Sequence, residues 1–141
     1  MYKFIPSLSM KVNLTKAQEL MLSDKEDIIK IIKNNPDIVK AYDIYEEDEL
    51  IGFALVRDDG KGEYFLWEYA IDLAHQNMKK GTNALKEFIE FMKANYHMKK
   101  MTTTYIYGND IAKHVYEKIG FKEFNEVIEE TYHEFDMEYY V

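Results

Sequence analysis

The sequence predicts a mixed α/β domain, and three observations carry that prediction. The apolar period is helical before Pro36 and switches to the two-residue period of strands at Val39. Strong turn signals, Glu47-Asp48-Glu49 and Asp58-Asp59-Gly60-Lys61-Gly62, punctuate the strand-like runs that follow. An amphipathic stretch from Thr82 to Asn95 and a shorter one after Asn109 then alternate with strand patterns, which places helices against a sheet.

Taken in order, Met10 to Leu14 is expected as a first short strand. Thr15-x-x-Gln18 and Ser23-x-x-Glu26 read as two capping boxes, each opening a helix, and Pro36 stops the second. In that helix Ile28, Ile29, Ile31 and Ile32 are spaced to bury one face. Val39 to Glu46 and Leu50 to Arg57 form a hairpin, and Glu63 to Asp72 adds a third antiparallel strand. Leu85, Phe88, Ile89 and Met92 line the inner face of the Thr82 to Asn95 helix. Lys100 to Tyr107 returns as a strand. Asn109 caps a short helix with Ile111, Ala112, Val115 and Ile119 inward, and Gly120 suits the left-handed position after it. Phe121 to Glu129 and Tyr132 to Val141 close the chain as a hairpin, the latter alternating between an apolar and an acidic face.

With 141 residues, 47% of them hydrophobic, the chain is expected to be one domain, residues 1–141, burying roughly two thirds of its unfolded surface. It has no cysteine, so disulfides, zinc-thiolate sites and a thiol nucleophile are excluded. A net charge of −8 argues against nucleic acid and attracts small cations, although its plainest meaning is solubility. No apolar run is long enough to span a membrane, and no leader pattern opens the chain, so a cytoplasmic location is expected. His75, His97, His114 and His133 lack metal-ligand spacing, so no metal is expected. Ser7, Ser9 and Ser23 sit in no nucleophile-elbow pattern.

Two segments carry the chemistry. Gln76-Asn77-Met78-Lys79-Lys80-Gly81 precedes the long amphipathic helix, and helix amino termini bind anions through unsatisfied N–H groups and the helix dipole. Asn109 to Phe121 follows, with Tyr116 inside it. In this order the two segments resemble the acetyl-CoA site of the GCN5-related N-acetyltransferases. The resemblance covers roughly Met10 to the end, most specifically Glu63 to Phe121. It implies that family's fold: a mixed, mostly antiparallel sheet of about seven strands with flanking helices, splayed where the cofactor's pantetheine arm inserts.

The resemblance also implies roles. Ala70, Ile71 and Asp72 would offer a strand edge to the arm, with Asn109 bonding it from the other side. Gln76, Lys79, Lys80, Gly81, Thr82 and Asn83 would form the pyrophosphate turn. Tyr116 would protonate the departing thiolate, for which a phenol is suited. Lys79 stands where the family has glycine, at a cost of roughly 1–2 kcal/mol if it must be left-handed; Lys79 and Lys80 would offset the protein's repulsion of phosphate. Each feature also has a plainer reading. Lys-Lys-Gly can simply start a helix, Asn109 can simply cap one, and Tyr116 can extend an apolar face.

Direct transfer to an amine requires a base, and Glu68 is the nearest carboxylate by sequence, with Glu63 a weaker substitute. Alternation puts Glu68 and Trp67 on opposite faces without saying which faces substrate. A small primary amine is the expected acceptor. The run Leu66 to Asp72 followed by Gln76 resembles the polyamine-acetylating branch, and Glu68, Glu126, Glu134 and Asp136 could receive a polycation. Alternatives are a protein lysine or amino-terminal acetyltransferase, a noncatalytic acyl-CoA-binding module, and an interaction domain using the acidic hairpin. A homodimer is compatible with all of them.

Overall fold

The structure is a computed structural model that describes residues 1–76 and 79–141. Asn77 and Met78 of the expected anion-binding turn lie outside the described residues. One seven-stranded sheet runs in the order β1-β2-β3-β4-β5-β7-β6. Its strands are β1 (Tyr2–Pro6), β2 (Val39–Glu46), β3 (Glu49–Gly60), β4 (Glu63–Ile71), β5 (Lys100–Ile106), β6 (Lys122–Ile128) and β7 (His133–Tyr140). Every neighbouring pair is antiparallel except β4 and β5, whose parallel pairing is made by the long crossover through helix α3 (Lys80–Tyr96).

Helix α3 and helix α4 (Asp110–Ile119) cover one face of the sheet. Phe88, Leu85 and Met92 of α3 pack there with Ile44, Ile51, Leu66 and Met101. Helices α1 (Lys16–Met21) and α2 (Lys25–Asn34) lie on the other side. There Ile28 and Ile32 bury against Phe53, Leu55 and Ala70 with Met10 and Val12.

Four expectations need correction. The first strand is Tyr2–Pro6, not Met10 to Leu14: Phe4 is held against Phe88 and Phe91, with ring centroids 5.2 and 5.1 Å away. Met10 and Val12 are buried in alternation, as a strand would be, but Asn13 bonds the Asp72 carboxylate and the Leu73 N–H rather than a ladder. The Thr15–Gln18 capping box forms, whereas α2 begins at Asp24 with no side-chain cap, so the Ser23 box does not. Ile29 is 44% exposed, and on α4 Ile111 is 80% exposed. Tyr116 is the residue α4 buries.

Candidate active site

The site begins where β4 and β5 part. Only Glu63 to Leu66 pair with Lys100 to Thr103; beyond that, β5 pairs with β7 alone, and the β4 edge from Trp67 to Ile71 turns away from it. Thr103, 2% exposed, closes the crotch by donating its hydroxyl to the Leu66 carbonyl at 3.0 Å. The cause of the parting lies on the opposite edge of β4. Its register with β3 slips between Leu55–Glu68 and Val56–Leu66, leaving Trp67 as an extra, bulged residue that bends the strand and sharpens its twist.

The bulge also decides which side chains share a face. Leu66 and Tyr69 pack toward α3 and α4, and Trp67 and Ala70 toward α2. Glu68 is on the α2 side as well, since its Oε1 accepts the Ser23 N–H at 3.0 Å from the connection between α1 and α2. Strict alternation would oppose Glu68 to Trp67; the inserted residue puts both on one face. Glu68 is 5% exposed, and burial raises its carboxyl above the ordinary range, with hydrogen bonds from Ser23 pulling the other way.

Tyr116 reaches the same parting from the opposite face. Gly120 adopts φ 123°, and the Gly120 and Phe121 N–H groups both return to the Tyr116 carbonyl, closing α4 so that Phe121 packs on the Tyr116 ring at 5.5 Å. Tyr116 is 7% exposed. Its phenol is pushed up to about 12, first by burial, with the Thr103 hydroxyl opposing and the charge of Glu68 adding.

The expected cofactor residues divide by what their groups already do. Lys79 takes the left-handed conformation, φ 60°, and heads α3 with no side-chain cap. Its carbonyl accepts the Asn83 N–H at 3.1 Å, so Asn83 closes the first turn, and the N–H groups of Lys80, Gly81 and Thr82 are those at the helix mouth. The Lys80 ammonium is held by Glu46 at 2.6 Å and by Nδ1 of His75 at 3.1 Å, while His75 Nε2 meets Glu49 at 2.9 Å. Lys80 thus offers an anion its backbone rather than its charge.

On β4, the Asp72 N–H goes to Ile51 of β3, so the backbone groups of Ile71 and Tyr69 point to the open edge and those of Ala70 do not. The Asp72 carboxylate is occupied by the N–H groups of Asn13 and Ala74. Gln76 and Gln18 both donate to the Ile71 carbonyl, at 3.0 and 3.2 Å. Asn109 caps α4 by accepting the Ala112 N–H through Oδ1, which leaves its amide nitrogen as the donor. Glu63 sits at the paired end of the strands, beside Lys100.

Three contributors escaped the sequence reading: Ser23 on Glu68, Thr103 at the crotch, and Tyr69, whose hydroxyl donates to the Gly81 carbonyl at 2.6 Å and ties β4 to the first turn of α3. Tyr69's place in the strand just before the anion-binding turn was the one local signal for it. Among the described residues, no group of three or more His, Asp or Glu side chains could hold a metal, and no helix is long and apolar enough to cross a membrane.

An open strand edge, a helix mouth presenting the N–H groups of Lys80, Gly81 and Thr82, and an amide donor across the gap fit the extended arm and pyrophosphate of a coenzyme A thioester. The model of the acetyltransferase (GNAT) family matches residues 10–121, and the chain belongs to that family. It is an N-acetyltransferase, and acetyl-CoA is its cosubstrate. Among curated proteins none matches it in sequence.

Solved structures share the fold. A spermidine N-acetyltransferase from Vibrio cholerae in complex with CoA and spermine superposes with a TM-score of 0.71 at 14% identity, over 84% of this chain and 76% of that one. RimL, a ribosomal L7/L12 alpha-N-protein acetyltransferase in complex with coenzyme A, gives 0.72 at 12% identity, over 99% and 98%. An IAA acetyltransferase from Bacillus cereus gives 0.73 at 16%, over 100% and 99%. At these identities the likeness is one of fold.

Proposed function

We propose that the protein, acting as a single domain, moves an acetyl group from acetyl-CoA directly to a small primary amine, with polyamines the leading acceptors. The observation that carries this reading is the placement of Glu68 and Tyr116 on opposite faces of the sheet beside the parting of β4 and β5. Bound there, acetyl-CoA would supply the activated acetyl group, and its sulfur would leave as the CoA thiol when the carbon–sulfur bond breaks. The N–H groups of Lys80, Gly81 and Thr82 hold the pyrophosphate, Tyr69 and Ile71 present the strand edge, and Asn109 bonds the arm from α4. Glu68 takes the proton that the attacking amine must lose, and its raised affinity for protons makes it a stronger base than an exposed carboxylate. Tyr116 keeps its O–H throughout the working pH range and donates at the sulfur.

The polyamine choice is supported by charge placement. Glu134, Asp136 and Glu138 alternate with Phe135, Met137 and Tyr139, which pack toward α3 and α4, so these carboxylates lie on the same side of the sheet as Glu68. Glu138 is engaged by Lys100 at 3.2 Å. Glu126 pairs with His133, whose ring stacks on Tyr107 and lies tilted against Phe135, which removes it from the acceptor set. A homodimer is part of the same reading, supported by the exposed Phe124 and Ile128 on the edge strand β6, and sedimentation tests it.

The test is calorimetric titration of acetyl-CoA, followed by free-thiol release with spermidine, spermine, a monoamine and a peptide bearing a free amino terminus. Turnover of the polyamines supports the reading. Turnover of the peptide alone rejects the acceptor and leaves the family assignment standing.

A further inference from the structure

Helix α2 begins against the local rules. Its sequence supplies Ser23-x-x-Glu26, a pattern that would satisfy helix-start N–H groups, yet the helix starts one residue later, at Asp24, with no side-chain cap. Ser23 turns instead to β4, its N–H donating to Glu68 Oε1 at 3.0 Å. A forgone cap beside a buried carboxylate is the kind of local inconsistency that accompanies a functional demand.

We infer that Ser23 is a positioning residue for the reaction: its N–H aims the Glu68 carboxylate at the acceptor amine. The inference rests on the reading of Glu68 as the base. Bulged out of alternation, Glu68 points into the connection between α1 and α2, and without a donor on that connection a buried carboxylate would be protonated or would rotate away. The groups around it leave this task to Ser23. Lys25, two residues on, donates to the Val12 carbonyl; Arg57 of β3 lies over Trp67 and pairs with Asp59; Asp24, the α2 cap, is acidic; Tyr116 is the titratable neighbour across the parting. A hydrogen bond to the ionised carboxylate holds its pKa down, so removing that bond must raise it.

The test uses protein carrying ¹³C-labelled glutamate, without substrates, and follows the Glu68 carboxyl resonance, identified by its loss in Glu68→Gln. In Ser23→Pro, which deletes the donating N–H, the resonance should titrate at higher pH, and in Ser23→Ala, which keeps that N–H, it should move less. Because Leu22 is already extended, as a residue before proline must be, the Ser23→Pro protein should still fold. With spermidine, the acid limb of kcat/KM should move in the same direction, with kcat/KM roughly tenfold lower at neutral pH and the KM for acetyl-CoA unchanged. An unmoved Glu68 titration in folded Ser23→Pro, or a Ser23 amide proton that ignores that titration in the ¹⁵N-labelled parent protein, overturns the inference and leaves the proposed base intact. Full kcat in Glu68→Gln rejects Glu68 as the base and the positioning role with it.

Discussion

Glu68 and Tyr116 stand on opposite faces of one sheet, beside the same parting of β4 and β5, near enough that the carboxylate's charge bears on the phenol. On the proposed reading, an amine entering from the α2 side meets Glu68 as its proton acceptor, and the thiolate leaving toward α4 meets Tyr116 as its proton donor. The sheet itself separates the two roles.

Glu68→Gln should lower kcat on the order of 10²–10⁴-fold while making the protein more stable at neutral pH. The sign follows from linkage. Folding raises the carboxyl's pKa, so its contribution to stability is fully present below the unfolded value and is lost as pH rises through the folded one. Glutamine keeps the oxygen that accepts the Ser23 N–H and removes the buried charge. Thermal melts at neutral and acid pH should show a gain that shrinks as pH falls, and a gain absent at every pH would contradict burial of the charge as its cause.

Tyr116→Phe should reduce kcat by roughly 10²–10⁴-fold with acetyl-CoA affinity nearly unchanged. With the phenol up at about 12, no alkaline limb from this residue should appear across the usual assay range. Activity should therefore rise with pH, as Glu68 and the acceptor amine lose protons, and then level off. Steady-state profiles at saturating acetyl-CoA, on variants with matched melting temperatures, check both points. Near-wild-type kcat in the phenylalanine variant, with chemistry rate-limiting, would reduce Tyr116 to packing.

Lys79→Gly should stabilise the fold. A left-handed lysine costs about 1–2 kcal/mol, and glycine returns part of that gain through its freer unfolded chain, leaving a net of about 0.5–1 kcal/mol. A melting temperature raised by a few degrees is the expected reading. No rise would mean that the surrounding turn, not the residue type, sets this conformation.

Gly81→Ala separates the fold from the cofactor. Among the described residues, a methyl group at this helical position would meet only the Ile71 side chain, at an ordinary 3.5 Å, so the variant should fold as well as the parent or slightly better. If the pyrophosphate approaches this backbone closely, acetyl-CoA affinity should still drop roughly tenfold, equivalent to ~1.4 kcal/mol. Unchanged affinity by calorimetry would place the phosphates elsewhere.

Much of this was legible in the chain because it is governed locally. The period change at Val39, the Thr15–Gln18 capping box, the Asn109 cap, the Gly120 closure and the inner face of α3 depend on residues within a few positions of one another, so spacing alone determines them. The sequence also determined the order of the elements, and with it the parallel crossover that brings the mouth of α3 to the end of β4.

The remainder was decided by pairings between residues far apart. The bulge at Trp67 exists only in the register of β4 against β3, and it alone puts Glu68 on the α2 face. The first strand is Tyr2–Pro6 because β2 offers an edge and α3 offers Phe88 and Phe91, neither of which local alternation near the amino terminus can register. Lys80 lost its ammonium to Glu46, 34 residues away, and Ser23 gave its N–H to Glu68, 45 residues away. Periodicity tells a residue which side of its own element it occupies, whereas the partner that takes its charge or hydrogen bond is settled only when the sheet closes.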